Sequence, residues 1–144
     1  MKLLSAAVFG VVLMAGSMSS AALAGNPEGT WLSEDGGTKV KLSNCGGKYC
    51  GSVVWLKEPT DPKTGKAKTD ALNPDPAKRS RPMMGLQVVN GLAPNGDNRW
   101  SGQIYNADDG KTYSAHMEPD TSTAKVQGCV LGILCKTMTW KRAN

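Results

Sequence analysis

Histidine is nearly absent from this chain: His116 stands alone among 144 residues, and phenylalanine occurs once. A single histidine excludes a centre built from several imidazoles, and this one lies between Ser114 and Glu118 on the wet face of an alternating run. No serine occupies a nucleophile elbow, since neither Ser33 nor Ser43 is flanked by the glycines that such a turn needs. No window repeats apolar residues at the helical period, which leaves strands and turns to build the fold. Long apolar runs are missing too, except at the very start.

That exception has a simple reading. Met1-Lys2, the apolar run from Leu3 to Ala15, and Ala22-Leu23-Ala24 form the three parts of a secretory signal, with cleavage expected after Ala24. The run is too short, and too interrupted by Gly10, Gly16 and serines, for a membrane span. Residues 1–24 are therefore read as a signal peptide and residues 25–144 as one domain with one core. The expected location is periplasmic or secreted, with no transmembrane anchor in the mature chain.

The formal charge is +5, or about +4 without Lys2. Lys57, Lys63, Lys66, Lys68, Lys78, Arg79 and Arg81 supply most of the excess, against Glu58, Asp61, Asp70 and Asp75 in the same segment. Aromatics are not interleaved with these charges, and an exported protein rarely meets nucleic acid. No nucleic-acid partner is expected, and the segment reads as a solvated loop able to face an anionic envelope surface.

Four cysteines in a short exported chain imply two disulfides with three connectivities. Local pairing, Cys45 with Cys50 and Cys129 with Cys135, is expected, because each pair brackets a glycine-bearing turn whose flanking strands would bring the sulfurs together. Zinc is the rival, but neither spacing is the familiar two-residue one and an oxidising compartment favours the bridge. Bridged cysteines offer no thiol nucleophile.

Strand signals then follow in order. Thr38, Val40 and Leu42 alternate with Lys39, Lys41 and Ser43, and the first stapled turn leads into Tyr49 to Leu56, with Val53-Val54-Trp55-Leu56 expected to be buried. From Lys57 to Met84 the pattern stops and five of the eight prolines appear, which marks a long connection. Strands resume over Gly85–Leu92, Arg99–Asn106, Lys111–Glu118 and Thr123–Gly128, punctuated by Pro94-Asn95-Gly96, Asp108-Asp109-Gly110 and Pro119 to Ser122. The last strand follows the second staple, with Met138, Trp140 and Arg142 on one face. The expected fold is all-β: an eight-stranded antiparallel up-and-down barrel, with one long loop between strands three and four. A two-sheet sandwich is the alternative.

Gly29-Thr30-Trp31, the two bracketed cysteine pairs, Asp70-x-x-Asn73-Pro74, Arg81-Pro82-x-x-Gly85-Leu86, Asp109-Gly110-Lys111-x-Tyr113 and Cys135-Lys-Thr-x-Thr-Trp140-x-Arg142 together resemble a bacterial exported family, domain-of-unknown-function family 2147. The resemblance covers nearly all of residues 25–144 and implies a secreted or periplasmic protein without an established reaction. The chain departs from the family pattern near Ala107, where a proline is expected. It also resembles, more loosely, the lipocalin-like barrels, in which a Gly-x-Trp on the first strand packs beneath a basic residue from the last. Trp31 and Arg142 fit that closed-end arrangement.

Three function classes follow. The first is a small-ligand carrier for an apolar or anionic amphiphilic molecule such as a fatty acid. In a meander, alternate turns share an end, so the mouth would lie beneath the long loop. Met83 and Met84 would give apolar contact there, and Arg79, Arg81 and Asp109 polar contact. The competing reading is an interior filled by Trp55, Trp100, Met117, Met138 and Trp140. The second class is an envelope interaction module docking through the basic loop onto a surface or protein partner. A hydrolase-type enzyme ranks last, because no catalytic set can be named. No cofactor or metal is assigned: Asp70, Asn73 and Asp75 could group around a hard cation, but Asp and Asn before Gly or Pro also serve turns.

Overall fold

The computed structural model describes Gly10 and residues 25–143. The expected signal segment therefore lies, apart from Gly10, outside the described residues. The rest forms a closed barrel of eight antiparallel strands, each hydrogen-bonded to the next and the last to the first. They are β1 (Gly29–Leu32), β2 (Thr38–Cys45), β3 (Lys48–Leu56), β4 (Gln87–Pro94), β5 (Trp100–Asn106), β6 (Lys111–Pro119), β7 (Thr123–Val130) and β8 (Leu134–Arg142). No described helix is long and apolar enough to cross a membrane.

The period of two in the sequence decides what faces inward. On β2 Val40 and Leu42 are buried, on β6 Ala115 and Met117, on β7 Ala124 and Val126, and on β8 Trp140. Between them they fill the barrel: the void lined by Leu42, Leu92, Met117 and Trp140 has a volume of only about 10 Å³, room for no more than one water molecule. Gly51 belongs to this packing, since a Cβ there would come within 2.7 Å of Leu42 and 2.8 Å of Val40.

One apolar run breaks the alternation. Val40 pairs with Val53 and Lys39 with Trp55, which leaves Val54 as an extra residue on β3. This bulge reverses the side-chain parity. Val53 and Leu56 point into the core, while Val54 and Trp55 are exposed. The expectation of a continuously buried Val53 to Leu56 is corrected accordingly, and Trp55 also leaves the set of residues expected to fill the interior. It lies outside, with the Lys39 ammonium 4.9 Å from its ring centre. Met117 and Trp140 are buried, while Trp100 and Met138 pack half-buried against the same core as the fully buried Trp31.

Alternation of the turns sorts them into two ends. The β1–β2, β3–β4, β5–β6 and β7–β8 connections share one end, here the loop end, and both described chain termini lie at the other. Each end carries a disulfide, Cys129–Cys135 at the loop end and Cys45–Cys50 opposite. Two disulfides within one small domain fit an oxidising compartment.

Candidate functional site

The β3–β4 connection, residues 57–86, lies at the loop end. Two isolated bridges, Thr60 with Ala67 and Thr69 with Pro82, fold it back on itself. A short 3-10 helix, Pro76–Lys78, is capped by the Asp75 carboxylate, which accepts a hydrogen bond from the Ala77 amide. At the centre of the connection is Asp70, a carboxylate with no solvent exposure. Its Oδ2 accepts from Asn73 Nδ2 and from the Arg81 guanidinium, each at 2.8 Å, and its Oδ1 accepts from the Tyr105 hydroxyl of β5 at 2.5 Å. Burial by itself would raise the Asp70 carboxyl, but the bonds from Tyr105, Arg81 and Asn73, with the Arg81 charge, outweigh it and hold it below its usual value. Burial, together with the Asp70 carboxylate, pushes the Tyr105 hydroxyl up to about 12.

The loop is thus tied to the barrel wall by a buried carboxylate that draws its donors from both. A second tie is steric. Gly110, in the β5–β6 turn, has φ +70°, and a Cβ there would stand 2.0 Å from the Leu72 carbonyl oxygen. Only glycine lets the loop backbone approach so closely. Asp70, Asn73 and Asp75 therefore serve the loop's own architecture, with Asp75 as helix cap and Asp70 as hub.

The five residues expected at a mouth all lie at this end, in distinct roles. Arg81 is half-exposed and paired with Asp70. Arg79 is exposed and donates from Nε to the Asn73 carbonyl. Met83 packs half-buried against the core, while Met84 is 47% exposed. Asp109 accepts from the Tyr113 hydroxyl and from the Lys111 amide, and the first of these bonds raises the Tyr113 pKa. Tyr105 was missed from the sequence, where its half-buried place at the end of β5 carries no local mark.

At the opposite end Arg142 lies over Trp31, with its guanidinium carbon 4.1 Å from the ring centre. Its nitrogens donate to the carbonyls of Asn26, Glu28, Asp120 and Thr121. Trp31 Nε1 donates to the Pro27 carbonyl, and Trp100 Nε1 to that of Gly25. The segment before β1 thereby covers this end.

Residues 29–142 match the family described as "Uncharacterized protein conserved in bacteria (DUF2147)". The chain belongs to this bacterial family. It is also similar to a solved structure, protein HP1028 from the human pathogen Helicobacter pylori, described as belonging to the lipocalin family. The two share 26% identity over 83% of this chain and 84% of that one, with a TM-score of 0.69. No curated protein matches. The barrel is thus lipocalin-like, and the family motifs acquire physical meaning. Asp70, Asn73 and Arg81 form the hub of the loop, Gly110 the contact on which the loop rests, and Trp31 with Arg142 the closed end.

The single histidine of this DUF2147 barrel lies elsewhere, on the outer wall. Register places Ser101 opposite His116, and their Oγ and Nδ1 atoms are 2.8 Å apart. Asn95 Nδ2 donates to the same Oγ. The ring borders a polar groove of about 260 Å³ with Arg99, Glu118, Lys125, Gln127 and Thr137. Asn95, rather than a carboxylate, completes this chain of bonds, so the group is held as a surface network.

Proposed function

We propose that this protein is an exported ligand-binding barrel whose residues 57–86 act as a lid, and that it takes up an apolar or anionic amphiphilic molecule at the loop end. The observation that carries this reading is the lid's attachment: the Asp70 carboxylate, bonded to Tyr105 of the wall and to Asn73 and Arg81 of the loop. The likeness to a structure described as a lipocalin supports a ligand-binding use of the same barrel. The filled interior sets the condition for binding. With a void of about 10 Å³, an acyl chain enters only as the lid lifts and Met83 leaves its place against the core. Arg79 and Arg81 then meet the anionic head.

Titration of tryptophan fluorescence with a fatty-acid series tests this reading. A saturable change is expected, weakened in Met84→Glu and faster to develop in Tyr105→Phe, where the lid loses its bond to the wall. A flat response at every chain length, with the protein folded, would show a barrel packed solid for good and end the carrier reading.

A further inference from the structure

The β7–β8 turn ends in apolar side chains that the fold does not cover. Val130 is 39% exposed, Leu131 86%, Ile133 80% and Leu134 68%. The hairpin is held shut directly behind this tip, where Cys129 and Cys135 are both register partners and a disulfide. Leu131 has φ +55° and Gly132 φ +69°, so a bulky residue occupies the left-handed region that such residues avoid. Four large apolar side chains held out on a covalently closed turn are a liability unless something covers them.

We infer that the loop end of the barrel docks on a phospholipid bilayer containing anionic headgroups, with the stapled Val130–Leu134 tip inserted among the acyl chains. The exposed apolar tip favours this occupant, and a local basic patch on the long loop adds to it. Across the mouth from the tip, the 57–86 loop carries five lysines and two arginines against four acids, one of which, Asp70, is buried against Arg81. Lys136 is exposed immediately behind the staple. Leu72, at 58% exposure, and Met84 add separate apolar projections to the same end. Separate apolar projections set among charged side chains suit a fluid surface, which needs no matching relief, better than a protein partner, which does. Glu34, Asp35, Asp108 and Asp109 lie in the two turns that flank the tip and balance the basic side chains of the end as a whole, so the positive charge is local to the 57–86 loop. Insertion of the tip therefore contributes more than charge, and binding survives moderate salt.

The test uses the chain from Gly25 onward, which contains every strand, with both disulfides formed. Its co-sedimentation with vesicles of phosphatidylcholine mixed with phosphatidylglycerol is compared with that of Leu131→Ser/Ile133→Ser. The double variant should lose roughly tenfold or more in vesicle affinity with an unchanged melting midpoint, because neither side chain packs in the core. Ile133→Trp should show a blue-shifted emission on these vesicles. Equal binding by the double variant, no binding by the native chain, or a tip tryptophan that stays water-exposed on vesicles would each overturn the proposal. So would self-association or protein binding that consumes the tip while vesicles are ignored. A failed fatty-acid titration leaves this inference standing, since the tip lies outside the barrel.

Discussion

At the scale of single residues, Asp70 is where chemistry and architecture meet. Removing one partner of a buried charge pair costs roughly 3–5 kcal/mol, and the exposed side of Arg81 places this pair at the lower end. Asp70→Ala should therefore shift the denaturant midpoint strongly, while Tyr105→Phe, which loses one bond to a charged acceptor, should cost about 1.5–3 kcal/mol. The pH dependence follows from the direction of each shift. Asp70 sits below its usual 3.8, so its contribution is complete above that value and is lost as pH falls from there through the folded-state pKa. Tyr105 is raised from 10.0 to about 12, so its contribution is present below pH 10 and is lost as pH climbs between those two values. Unfolding midpoints measured across pH should show both flanks in the native chain. The acid flank should shrink in Asp70→Asn and the alkaline one in Tyr105→Phe.

At the scale of elements, strands were legible because one face of each is wet, so the period of two could be read directly from runs such as Thr38–Ser43 and Lys111–Glu118. Both local staples were legible for a related reason: a hairpin turn dictates which side chains face each other. The bulge at Val54 was not, because an extra residue in an apolar run leaves no polar marker of the parity change. The long loop's hub was hidden as well. An aspartate three residues before Asn-Pro looks like a turn former, and its partner Tyr105 lies 35 residues away. The turn between Cys129 and Cys135 was legible from its staple, but the exposure of its apolar side chains was not, since Val130 to Leu134 has the composition of a core strand. Gly110 tests the attachment of the long loop at this scale. Gly110→Ala must adopt φ +70° and displace the Leu72 carbonyl, and the conformation alone costs about 1–2 kcal/mol. The loop should then detach before the barrel melts, giving faster proteolytic cleavage within 57–86 while the strands keep their circular dichroism. Cleavage at the native rate would show that the loop does not rest on this contact. Reduction of each disulfide should remove only about 2 kcal/mol, because each loop it closes is short.

At the scale of the whole molecule, a barrel is only as closed as its thinnest seam. β7 and β8 share eight paired positions, but β1 has four residues and meets β8 at two, Trp31 with Arg142 and Leu32 with Lys141. Backbone pairing is shortest at this seam, and Arg142 adds side-chain bonds across it. Its guanidinium covers the Trp31 ring and donates to Asn26 and Glu28 before β1 and to Asp120 and Thr121 in the β6–β7 turn. One side chain thereby ties the entering segment, the last strand and a neighbouring turn together. Trp31→Ala should cost roughly 3–5 kcal/mol through the cavity it leaves, and a double-mutant cycle with Arg142→Ala should return a coupling of about 0.5–2 kcal/mol for the cation over the ring. The decisive variant is Arg142→Lys, which keeps the charge but replaces a planar fork of five donors with one ammonium. If the carbonyl fork closes the barrel, Arg142→Lys should lose nearly as much thermal stability as Arg142→Ala, with hydrogen exchange rising first at the amides of β1 and at Ala143, which bonds the Thr30 carbonyl. A lysine variant as stable as the native chain would instead assign the seam to charge over indole alone.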